Sequence, residues 1–95
     1  MPESDAAIRA VVRGRVQGVG FRDFVEARAR ALGLAGFVRN MNDHRSVEVV
    51  AEGAREKLER LIDALYRGPG MSRVDAVEVA WGEATGEYVV FATRY

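Results

Sequence analysis

The chain has 95 residues, enough for one two-layer domain and too few for two. Fourteen basic residues balance fourteen acidic ones and 48% of the chain is hydrophobic, so nothing biases it toward nucleic acid, membranes or acidic partners. It holds no cysteine and one histidine, His44, which excludes disulfides, thiolate nucleophiles and cysteine metal sites and argues against a histidine-rich metal centre.

Met1 to Ala7 carries Pro2, Glu3, Ser4 and Asp5 and reads as a loose leader, too polar for a signal peptide, ahead of one domain over residues 8–95. No apolar run approaches the roughly 20 residues of a membrane span, so the expected location is the cytoplasm. Strand alternation sets in at Ile8, with Ile8, Ala10 and Val12 on one face and Arg9, Val11 and Arg13 on the other.

The strand empties into Gly14-Arg15-Val16-Gln17-Gly18-Val19-Gly20-Phe21-Arg22, a glycine-rich turn leading into a helix. Such a turn presents successive backbone N–H groups as a concave nest, and the first N–H groups of the helix have no partner within it. The positive end of the helix dipole lies at the same point, which suits an anion the size of a phosphate. Arg22 falls in the first helical turn, where its planar fork of donors can grip two oxygens of one phosphoryl group. The turn lacks the Lys-Ser/Thr pair of a nucleotide loop and keeps only one G-x-G of the dinucleotide fingerprint. Most glycine turns before helices bind nothing, so these residues alone leave a structural turn and an anion site both open.

A helix is predicted from Phe21 to Leu32, with Phe21, Phe24, Val25, Ala29 and Leu32 as its apolar stripe and Gly33-Leu34 as its cap. A strand from Ala35 to Met41 places Gly36, Val38 and Asn40 opposite Phe37 and Arg39. After a polar turn, Val47, Val49 and Ala51 alternate with Glu48, Val50 and Glu52 to complete a hairpin. A second helix is predicted to open at Gly53 and end near Tyr66, stopped by Gly68-Pro69-Gly70. Val74 to Trp81 reads as a strand, and Tyr88 to Tyr95 as a last extended run. The order β-α-β-β-α-β plus a terminal strand implies the α+β ferredoxin-like sandwich, a mainly antiparallel sheet with both helices on one face. That fold decides no function.

Asn40 is the one amide in its strand, either bonded to nearby backbone or holding a water through its carboxamide, which does not titrate. If the second strand lies next to the first, Asn40 faces the phosphate cup. His44, between Asp43 and Arg45, reads as a solvated turn residue. Glu48 and Glu52 share a strand face and fit a charged sheet surface better than an acid–base pair. Arg9, Arg13 and Arg15 either attract an anion or are simply solvated. The outward positions of the first and third strands carry no aromatic ring, so the base-stacking platform of RNA-binding sheets is missing.

Val16-Gln17-Gly18-Val19-Gly20-Phe21-Arg22 resembles the first signature of the acylphosphatase family, and Gly36-Phe37-Val38-Arg39-Asn40 the start of its second. Val47 to Gly53, Gly68-Pro69 before Val74, and Phe91 to Tyr95 also fall where that family has them. The resemblance implies an enzyme that hydrolyses small acyl phosphates to a carboxylate and inorganic phosphate, without metal or cofactor; a monomer is expected. It implies that main-chain N–H groups of Val16, Gln17, Gly18, Val19, Gly20 and Phe21 cradle the phosphoryl oxygens. Arg22 would then bind that group and Asn40 position the attacking water. No nucleic acid or membrane partner is expected, and phosphate is expected to inhibit as product. One departure stands out: Asn42-Asp43-His44-Arg45-Ser46 replaces the family's Asp-Gly turn, which predicts a longer hairpin loop. The alternatives are a non-catalytic anion-binding module and a stand-alone copy of the acylphosphatase-like domain of carbamoyl-transfer proteins. An end at Tyr95 favours the independent enzyme.

Overall fold

In the computed structural model, which describes residues 5–95, the alternation that begins at Ile8 buries Ile8, Ala10 and Val12 against two helices. The elements are β1 (Asp5–Arg15), α1 (Phe21–Ala31), β2 (Ala35–Asn40), β3 (Ser46–Ala54), α2 (Arg55–Arg67), β4 (Arg73–Glu83) and β5 (Phe91–Arg94). The strands form one sheet in the order β4-β1-β3-β2-β5, antiparallel except where β5 runs parallel to β2. This is the ferredoxin-like α+β arrangement that the element order implies.

Both helices cover one face of that sheet. Phe21, Val25 and Ala29 of α1 and Leu58, Leu61 and Leu65 of α2 recur at three- and four-residue steps. They pack on the inward residues of β1, β2, β3 and β5, among them Val38, Val49 and Phe91. The cap predicted at Gly33-Leu34 is made, with Gly33 N–H donating to Arg30 O at 3.0 Å and Leu34 N–H to Ala29 O at 2.9 Å.

Among the boundaries that differ from the pattern in the sequence, three are set by long-range contacts. The expected leader lies outside the described residues as far as Ser4, but Asp5, Ala6 and Ala7 belong to β1 and pair with Ala54, Gly53 and Glu52. The same pairing extends β3 through Gly53, so α2 begins at Arg55 rather than at Gly53. The last strand begins at Phe91 rather than Tyr88, because the Glu52 carboxylate takes the preceding loop. It accepts hydrogen bonds from the N–H groups of Thr85 and Gly86, at 3.0 Å each, and from the Thr85 hydroxyl at 2.8 Å.

Candidate active site

The turn between β1 and α1 is held at both ends by the core. Val16 and Phe21 are each 1% exposed, and between them Gly18 and Gly20 take φ values of 73° and 77°. Those left-handed values suit glycine. A Cβ built on either glycine would meet no atom within 4 Å, so the space beside the turn is open to a ligand. The Phe24 N–H donates to Gly20 O at 3.0 Å, closing the first helical turn. The N–H groups of Phe21, Arg22 and Asp23 precede that bond and have no acceptor within the helix. The positive end of the α1 dipole therefore opens onto the same space as the turn.

That space is a cavity of about 200 Å³ lined by Val16, Gly18, Gly20 and Phe21, by Arg22 and Asp23 of α1, by Asn40 and by Tyr95. Arg22 and Asn40 thus border one cavity from different elements. They do so across an intervening strand, because β2 is not beside β1. Asn40 sits opposite Val47 of β3, and Val47 sits opposite Val12 of β1.

The Arg22 side chain rests on the end of the chain. Its Nη1 donates to Arg94 O at 3.3 Å, and its guanidinium carbon lies 4.5 Å from the centre of the Tyr95 ring. The Asn40 Oδ1 is buried and has no hydrogen-bond partner among the described residues. Gln17 does more than offer a main-chain amide, since its Nε2 donates to Met41 O and to Ser46 O, both at 2.9 Å. Val19 is partly buried against the core. A wider recess of about 530 Å³ adjoins the cup, sharing Arg22, Asn40 and Tyr95 with it and adding Gln17, Met41, Asn42, His44 and Arg94. The contributions of Tyr95 and of the Gln17 side chain were not read from the sequence. The second had a signal, in that Gln17 is the one amide in the turn.

Arg15 and His44 are exposed, and the other polar candidates are committed elsewhere. Arg9 and Arg39 pair with Glu48 at 2.6 and 2.5 Å, and Arg13 pairs with Glu78. Burial pushes the Glu48 carboxyl up, but hydrogen bonds from Arg9 and Arg39 more than offset it and hold it below its ordinary value. Glu52 is likewise held down, its burial outweighed by the Thr85 and Gly86 bonds. The hairpin loop is the longer kind the sequence implied. Asp43 accepts hydrogen bonds from the Ser46 hydroxyl at 2.6 Å and from the N–H groups of Arg45 and Ser46 at 2.9 Å. The Ser46 hydroxyl does most to lower its pKa. His44 projects exposed from this loop with a φ of 62°. Among the described residues, no three His, Asp or Glu side chains gather as a metal-ligand cluster. No helix among those residues is long and apolar enough to cross a membrane.

A cavity with a glycine turn, a helix N-terminus and an arginine fork is suited to a phosphoryl group, and an amide at its border can orient a second small molecule. The comparisons with known proteins point the same way. The sequence model of the acylphosphatase family matches residues 8–93. An acylphosphatase from Thermus thermophilus is 54% identical over 77 residues, covering 81% of this chain and 86% of that protein. One from Mycolicibacterium vanbaalenii is 47% identical over 94 residues, covering 99% and 100%. The crystal structure of acylphosphatase from Bacillus subtilis superposes with a TM-score of 0.90 at 38% identity, covering 95% of this chain and 99% of that one. With its fold, its two signatures and its relatives in agreement, the chain belongs to the acylphosphatase family of hydrolases.

Proposed function

We propose that this enzyme hydrolyses small acyl phosphates in the 200 Å³ cup, with Arg22 and Asn40 as its essential side chains. The observation that carries the proposal is the meeting of both residues with Gly18 and Gly20 around that one cavity. Main-chain N–H groups from Val16 to Phe21 and the Arg22 fork hold the equatorial phosphoryl oxygens, where charge develops as the phosphoryl group transfers. Asn40 holds a water in line with the scissile P–O bond through its carboxamide. The water oxygen forms the new bond to phosphorus, and the bond to the acyl oxygen breaks. A carboxylate is a good leaving group and departs without a general acid, while the proton released by the water goes to a phosphoryl oxygen. The products are the carboxylate and inorganic phosphate. No metal or cofactor takes part. A monomer is the proposed form, and the cytoplasm is its proposed location.

The test is hydrolysis of benzoyl phosphate by the purified protein in EDTA, with inorganic phosphate as competitive inhibitor. Arg22→Ala is expected to lower kcat/KM by about 10³-fold and to weaken phosphate inhibition by about tenfold or more. Asn40→Ala is expected to lower kcat by about 10³-fold while the phosphate inhibition constant stays within about threefold. Unimpaired hydrolysis by either variant refutes the assignment.

A further inference from the structure

β1 delivers the phosphate cradle and β2 delivers Asn40, yet β3 lies between these two strands, so their backbone tie runs through the hairpin, where β1 pairs with β3 and the Gly14 N–H donates to Arg45 O at 3.0 Å. The side chain of Gln17 spans the gap. Both of its amide hydrogens are used, one on Met41 O and one on Ser46 O, at 2.9 Å each. Both carbonyls belong to the residue pair that closes the β2–β3 hairpin, and Ser46 O also accepts from the Met41 N–H at 2.9 Å. Met41 is the residue after Asn40, so the grip lands one residue from the amide in question. With two donors committed, the planar carboxamide of Gln17 has one orientation, and the two strand ends are held at one separation.

That separation matters to the chemistry. Among the described residues, Asn40 Oδ1 has no hydrogen-bond partner, although it is buried. Its placement is therefore set by the end of β2 and by whatever holds that end. An in-line attack needs the water within a few tenths of an ångström of its position, and an error of about 1 Å costs about 10²-fold in rate. Resting on the proposed hydrolysis, we propose that Gln17 is a positioning residue that fixes the distance between the phosphate cradle and Asn40. Its side chain acts through Met41 and Ser46 and does not touch the substrate. Its main-chain N–H remains part of the cradle.

Two variants test this. Gln17→Met keeps the length and removes both donors, and Gln17→Glu replaces the donors with a carboxylate facing two carbonyl oxygens. The expected result with benzoyl phosphate is a fall in kcat of about 10- to 100-fold. The inhibition constant for inorganic phosphate should stay within about threefold, because the main-chain cradle is intact. In the unliganded protein, the ¹⁵N–¹H resonances of the Asn40 side chain and of the Met41 amide should move in both variants. Melting curves identify a variant that has failed to fold, in which case the other variant decides. Wild-type hydrolysis with unchanged kcat in a folded variant overturns the role of Gln17 alone. So does loss of kcat and of phosphate inhibition in equal proportion with the Asn40 resonances unmoved, since Gln17 would then serve only the cradle. Absence of wild-type hydrolysis overturns the function and, with it, this role.

Discussion

Gly20 stands at φ 77° at the foot of α1, with no atom within 4 Å of where a Cβ would be. Substituting it therefore tests backbone conformation free of any clash. Gly20→Ala is expected to cost about 1–2 kcal/mol of stability, the penalty of a left-handed L-residue. It should also weaken inhibition by phosphate, because the relaxed turn no longer aims its N–H groups together. Thermal denaturation and a phosphate inhibition curve check both effects. The positive φ of this glycine was legible in the sequence, as were the candidacies of Arg22 and Asn40, because a glycine turn running into a helix, an arginine in its first turn and a lone amide in the next strand are local patterns. Tyr95 was not legible, and of the Gln17 side chain only its being the one amide in the turn was. What Gln17 reaches depends on where Met41 and Ser46 lie, 24 and 29 residues along the chain, and no local pattern reports that.

At the level of the elements, the loop after β2 shows how a departure from a family turn is accommodated. Three hydrogen bonds to the Asp43 carboxylate replace the tight turn that an Asp-Gly pair would form. The remaining strain sits on His44, at φ 62°. His44→Gly should relieve it and stabilise the protein by about 0.5–1 kcal/mol, seen as a rise of a few degrees in Tm. His44→Ala should leave kcat on benzoyl phosphate nearly unchanged, because the imidazole is exposed and makes no bond in the cup. A large loss of rate would show that the loop takes part in the reaction. The loop's length could be read from its missing glycine. The starts of β1, α2 and β5 could not, because ladder pairing by Asp5 and Ala6 and the grip of Glu52 on Thr85 decide them.

Across the whole molecule, the sheet does two jobs with its two faces. The inner face packs on the helices, and the outer face buries Glu48 between Arg9 and Arg39. Glu48, Glu52 and Asp43 all have pKa values lowered by folding. Their contribution to stability is fully present above the ordinary carboxylate range and is lost as pH falls through the lowered values. The melting temperature is therefore expected to be flat from neutrality to about pH 5 and to fall below that. Glu48→Gln should lower stability at neutral pH by about 1–2 kcal/mol and make the acid decline shallower. Melting curves from pH 7 to pH 3 measure both. The fold class was legible from element order, but the strand order was not. Alternation says which face a residue takes and is silent on which strand is its neighbour, so the position of β3 between the cradle and Asn40 emerged only from the structure.

The proposed reaction requires one phosphate-sized anion in the turn between β1 and α1. Titrating ¹⁵N-labelled protein with inorganic phosphate locates that anion directly. Saturable shifts concentrated on the main-chain amides from Val16 to Arg22 and on the Asn40 side chain are the predicted result. Shifts absent there, or centred instead on the groove between α1 and α2 lined by Arg28, Arg60 and Arg67, would contradict it.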